Sequence, residues 1–148
     1  MVDSLTRTEL ARWTAWKRAC DVVMHEVEQQ IGMAAGMSGA DFAVLSRVVE
    51  LGQGSLRQQE LARLLGWERS RLSRQLSRME ERDLVVRTAE ASARMITATE
   101  AGERLLEGAR PAHAAAVRRA LLDLVPEAEN EQFWRIIDII SSVGRSNG

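Results

Sequence analysis

The sequence predicts a mainly α-helical fold with a small β-hairpin wing, built around a winged helix–turn–helix core. Three observations point there. Apolar residues recur every three to four positions over most of the chain. Residues 56–84, LRQQELARLLGWERSRLSRQLSRMEERDL, read as two short helices parted near Gly66. Two short β-type runs follow, close enough to pair as a hairpin.

The elements can be justified in order. Leu10, Trp13, Trp16, Cys20, Val23, Val27 and Ile31 keep helical spacing, so a first helix is expected over residues 6–30. The glycines of IGMAAGMSGAD (Gly32, Gly36 and Gly39) then stop it. Ser38 is the expected N-cap of a second helix carrying Phe42, Leu45, Val48 and Val49, which LGQGS ends. Ser55, Leu56 and Arg57 form a short extended entry to the helix pair. The first of that pair carries Leu61, Leu64 and Leu65, the second Leu72, Leu76 and Met79. The wing strands are expected at 84–88 and 95–99, with a tip at 89–93. Thr99 caps a long helix to about residue 124, which Pro111 should kink or split. Pro126 opens a last helix through Phe133, Ile136, Ile137, Ile140 and Val143.

On the second helix of the pair, Arg71, Arg74 and Arg78 fall within an arc of roughly 60° at ~100° per residue. The apolar stripe occupies another side, so the helix can seat in a core and point its arginines outward. Such a helix fits the major groove of duplex DNA, where Arg reads guanine by paired hydrogen bonds. Charge distribution agrees. Residues 57–94 hold nine Arg against six acids, a local +3, while the rest of the chain (11 basic, 15 acidic) carries −4, for a total of −1.

These residues resemble the MarR (multiple antibiotic resistance regulator) family of bacterial transcriptional regulators. The resemblance spans about residues 11–143 and is carried by Glu60, Leu61, Ala62, Ser70, Leu72, Ser73, Arg74, Met79, Glu80, Leu84, Val85, Arg87, Thr99 and Gly102. It implies a dimer joined through its terminal helices that represses or tunes transcription, often loosened from DNA by a small molecule. It also assigns Arg69, Ser70, Arg71, Ser73, Arg74, Gln75 and Arg78 to the DNA-facing part of the reading helix. Of these, Arg71, Arg74, Gln75 and Arg78 are expected in the groove, Gln75 being suited to adenine, and Ser70 and Ser73 at phosphates or backbone. Two departures stand out. The acidic-x-arginine pair of the family's longer wing tip has no counterpart here, leaving Arg87 and Arg94 beside the tip as phosphate candidates. Trp67 and Glu68 replace the usual small N-cap residue before the reading helix.

The terminal helices carry more apolar residues (Trp13, Trp16, Phe133, Trp134, Ile136) than a small winged unit can cover. A single domain over residues 1–148 is therefore expected to form a homodimer. Its winged unit would span about residues 38–100, with dimerisation helices at about 6–31 and 100–144. The partner is double-stranded DNA with a pseudo-palindromic operator. A small aromatic or anionic effector is a further candidate, held by Arg12, Trp16, His25, Met33, Met37 and Phe42, although the same residues equally suit core packing. The alternative is a winged-helix protein-interaction module, weakened toward DNA by its short wing.

Other chemistries find little support. Cys20 is a single thiol on an apolar stripe, read as inert, and a cytoplasmic location follows from the lack of a disulfide framework. His25 and His113 stand apart and give no zinc spacing, and neither a nucleophile elbow nor a phosphate loop is present. No cofactor, metal or catalytic residue is expected, and no run is long and apolar enough to span a membrane.

Overall fold

A computed structural model describes residues 4–144. In chain order the elements are α1 (Arg7–Ala35), α2 (Gly39–Glu50), β1 (Ser55–Arg57), α3 (Gln58–Leu65), α4 (Arg69–Glu81), β2 (Val85–Glu90), β3 (Ala93–Ala98), α5 (Glu100–Ala120) and α6 (Asn130–Val143), with 3-10 turns at Leu122–Leu124 and Glu127–Glu129. The chain divides into two compact units. One is residues 27–114; the other joins the N-terminal segment through Glu26 to the C-terminal segment from Ala115.

The first of these is the winged unit. Its core takes Val44, Leu45 and Val48 from α2, Leu61 from α3, Leu72, Leu76 and Met79 from α4, and Val85 and Ile96 from the strands. Leu106 and Ala109 of α5 complete it. The sheet is antiparallel in the order β1-β3-β2. Leu56 faces Ile96 across β1 and β3, while Glu90 pairs with Ala93, so the wing closes on the two residues Ala91 and Ser92. The expected five-residue tip is therefore mostly strand, and the wing is a tight hairpin.

Three expectations shift. Helix α1 runs through Gly32 to Ala35, beyond the expected stop. An internal glycine costs about 1 kcal/mol against alanine. Burying Ile31, 1% exposed, contributes about 1.5–3 kcal/mol and keeps the last turns formed. Gly36, left-handed at φ +62, ends the helix instead. Pro111 does not split α5, which is continuous across it. Pro111 and Glu107, whose carbonyl loses its donor, are both exposed, so that carbonyl stays open to water. After Pro126 a 3-10 turn precedes α6, which begins only at Asn130.

Two glycines have a geometric duty. Gly66 caps α3 in the left-handed region (φ +64), which turns the chain into α4. At Gly102 a Cβ would collide with the Leu84 carbonyl oxygen, so only glycine lets the first turn of α5 approach β2 this closely. That turn is capped as expected, Thr99 Oγ1 accepting from the Gly102 amide at 3.0 Å.

Asp83, just past the end of α4, sits in the left-handed region at φ +56. Its short side chain tolerates the left-handed region better than most. Asp83→Val should lower stability by about 1–2 kcal/mol, whereas Asp83→Gly should be neutral or slightly stabilising, both measured by thermal melting.

Candidate nucleic-acid interface

Helix α4 turns Leu72, Leu76 and Met79 inward, all fully buried, and leaves Arg69, Ser70, Arg71, Arg74 and Arg78 exposed. Ser73 is half-buried. The apolar stripe and the arginine arc thus occupy the two sides that their spacing dictates. At the N-terminus Glu68 makes no side-chain capping bond. Trp67 acts differently: its ring carries the Arg71 guanidinium 4.0 Å from the centroid. That stack holds Arg71 while preserving its charge, with an attraction of about 0.5–1 kcal/mol at an exposed site.

The arginines of this region divide by engagement. Arg63 pairs with Glu60, Arg82 with Asp41, and Arg87 with Glu80. Arg57, Arg69, Arg74 and Arg94 make no ion pair or side-chain hydrogen bond among the described residues, and all four are exposed. Three of them (Arg57, Arg69 and Arg94) line one cleft of about 550 Å³ with Gln58, Ser70 and Ser73. The cleft lies between the starts of α3 and α4 and the wing tip. Three uncompensated guanidiniums and the first backbone amides of α4 make it favourable for anionic oxygen.

Two site expectations need correction. Gln75 does not face a groove: it is 4% exposed, and its Nε2 donates to Asp41 Oδ1 at 2.7 Å while its Oε1 accepts from Arg78 at 2.7 Å. Its place on the helix hints at this, about 40° from both Arg71 and Met79, on the seam between the arginine arc and the apolar stripe. Arg87 is likewise committed, donating to Glu80 Oε1 at 2.6 Å and Ser77 Oγ at 2.9 Å, which turns it onto α4 rather than outward. Arg94, by contrast, remains exposed beside the tip.

The sequence reading missed Asp41 and Arg82. Asp41, 1% exposed, forms a capping box with Ser38, accepting from the Ser38 amide while Ser38 Oγ accepts from the Asp41 amide. Arg82 then donates two hydrogen bonds to the same carboxylate, at 2.8 and 2.6 Å. The Ser-x-x-Asp spacing was the available signal for the cap. The one-dimensional pattern gives little to tell Arg82 from the outward arginines: at ~100° per residue it lies only about 20° beyond Arg71, between the arginine arc and Gln75.

The candidate effector residues are divided between the two units, Arg12, Trp16 and His25 in one and Met33, Met37 and Phe42 in the other. Met37 is a core side chain, 1% exposed, and Phe42 stacks on His113 with centroids 4.3 Å apart, so neither offers its apolar surface to a ligand. Burial holds the His113 imidazole below its usual range. Met33 is 80% exposed, and Arg12, Trp16 and His25 are exposed on α1. Among the described residues no three His, Cys, Asp or Glu side chains cluster as metal ligands, and no helix is long and apolar enough to cross a membrane.

Burial pushes the Asp41 carboxyl up, but the Arg82 hydrogen bonds and charge and the Ser38 bonds outweigh it, leaving the carboxyl below the usual aspartate range. A lowered native value means a stabilising contribution present above about pH 4 and lost as pH falls through that lowered value. Asp41→Asn should cost about 1–3 kcal/mol at neutral pH and flatten the acid limb of a stability–pH curve. An acid limb unchanged in the variant would contradict this role.

The family model described as "MarR family" matches residues 35–94. Among curated proteins nothing matches the sequence. Solved structures do. AbsC, a MarR family transcriptional regulator from Streptomyces coelicolor, is 27% identical with a TM-score of 0.87, over 99% of this chain and 100% of its own. Sco3205 from Streptomyces coelicolor, a MarR family regulator solved in complex with DNA, is 26% identical with a TM-score of 0.85, over 95% of this chain and 90% of its own. CouR from Rhodococcus jostii RHA1, bound to p-coumaroyl-CoA, is 28% identical with a TM-score of 0.70, over 84% of this chain and 87% of its own. The segment holding the helix pair and most of the wing is thus similar to the MarR family in sequence, and the whole chain shares its fold with these MarR family regulators.

Proposed function

We propose that the protein is a sequence-specific, double-stranded-DNA-binding transcriptional regulator acting as a homodimer in the cytoplasm, most simply as a repressor. The observation that carries this reading is the outward face of α4. Arg69 and Arg74 are exposed and uncompensated there, and Arg71 is stacked on Trp67. Arg74 is the central groove contact and Arg71 its neighbour, while Arg57, Arg69 and Arg94 around the cleft suit phosphates. The structure of Sco3205 with DNA supports the reading by likeness.

Homodimerisation is supported by the unit formed from the two ends of the chain. Leu10, Trp13 and Trp16 on α1 and Ile136, Ile139 and Ile140 on α6 are all more than 40% exposed. Each such side chain gains about 1.5–3 kcal/mol on full burial, so together they favour association. A second copy is the partner that also supplies two reading helices, spaced ~34 Å apart for successive major grooves. Release by a small aromatic or anionic ligand is a further part of this reading, motivated by the p-coumaroyl-CoA held by CouR. Exposed Arg12 and Trp16, one turn apart on α1, are the candidate contacts.

The test is selection of bound duplexes from a random pool, followed by titration at several salt concentrations. A regulator should enrich a pseudo-palindrome and lose affinity steeply as salt rises. Arg74→Ala should cost about 1–3 kcal/mol at one base position per half-site. A protein-interaction module would instead bind all duplexes weakly and alike. Ile140→Glu should shift the protein from dimer to monomer in sedimentation and weaken operator binding with it.

A further inference from the structure

Arg78, Arg82 and Arg87 meet two different fates. Arg82 and Arg87 place their guanidiniums on carboxylates, so their charges are compensated within the protein. Arg78 is held instead by an uncharged acceptor, Gln75 Oε1, at 2.7 Å. The direction of that amide is not free. Carboxylate Asp41 can only accept and guanidinium Arg78 can only donate, so Gln75 must turn its nitrogen to Asp41 and its oxygen to Arg78. Asp41 is itself fixed by Ser38 and by the two bonds from Arg82, whose Nε also donates to the Arg78 carbonyl at 3.2 Å. The chain of bonds runs from a buried carboxylate, through a buried amide, to an exposed cation.

We infer that Gln75 and Asp41 are positioning residues that set the direction of the Arg78 guanidinium, and that Arg78 is a sequence-determining contact of α4. The inference rests on the DNA-reading function proposed above. An amide relay orients the cation and leaves its charge intact, which a carboxylate in the same place would not do. One of the five Arg78 donors is used, and the others remain for an acceptor on DNA. A guanidinium ordered before binding loses less freedom on binding and discriminates better between base edges. Direction matters for a base edge and little for a phosphate, which accepts from many angles.

The test compares wild type, Gln75→Met and Arg78→Lys by selection from a random duplex pool and by salt titration on the best sequence. Gln75→Met keeps length and apolar contact but removes both amide bonds, while Asp41 keeps Arg82 and Ser38. Arg78→Lys keeps the charge and alters an exposed residue, so it reports even where the buried substitution fails to fold. Both variants should lose preference at the same single base position in each half-site, by about tenfold, with the salt slope unchanged. Uniform weakening on every sequence, an unaltered preference in Arg78→Lys, or losses at different positions in the two variants would overturn the inference. Wild type that selects no sequence would overturn the DNA-reading function as well. Wild type that selects a sequence its variants share equally would overturn only the role of Gln75 and Arg78.

Discussion

Burying the Asp41 carboxylate at the start of α2 imposes the condition on which the arginine-bearing helix depends. A buried anion is costly unless its acceptor positions are filled. Here they are filled by the Ser38 amide, Gln75 and Arg82, so one carboxylate ties the cap of α2 to the body and the end of α4. Apolar packing of Leu72, Leu76 and Met79 supplies adhesion but little directional control. The directional bonds to Asp41 fix how far α4 is rotated about its axis. That rotation decides which arginines face out.

Charge is sorted accordingly. With a formal net charge of −1, the chain as a whole has no pull toward a polyanion. The proposed attraction to DNA rests on guanidiniums that the fold leaves uncompensated. Arg57, Arg69, Arg74 and Arg94 are such groups, whereas Arg63, Arg82 and Arg87 are spent on acids within the winged unit. Arg71 and Arg78 form an intermediate class, held by neutral partners that orient them without cancelling them. A tight wing closing on Ala91 and Ser92 brings Arg94 beside the cleft and does not extend a long tip beyond it.

Much of the fold was legible because local rules and tertiary needs agree. Ser38 and Thr99 cap helices, Gly66 turns between α3 and α4, and the period of Leu72, Leu76 and Met79 marks the buried side of α4. Disagreement arose where the tertiary setting outweighed a local signal. Helix α1 continues past Gly32 because Ile31 is held in the core, and α5 passes through Pro111 because the freed carbonyl stays open to water. The wing strands reach Glu90 and Ala93 because ladder pairing extends across residues whose composition alone reads as turn.

From the sequence by itself came the class of the fold, the order of its elements, the position of the arginine-bearing helix and the sign of its outer face. Each follows from periodicity and spacing along one helix or strand, which are local quantities. Which arginines stay uncompensated, and that Gln75 turns inward while Arg78 stays exposed, was decided only in three dimensions. The reason is that the partners are remote in sequence: Gln75 lies 34 positions from Asp41, and Arg82 lies 41. No pattern along the helix encodes a hydrogen bond to a carboxylate that folding brings from another one.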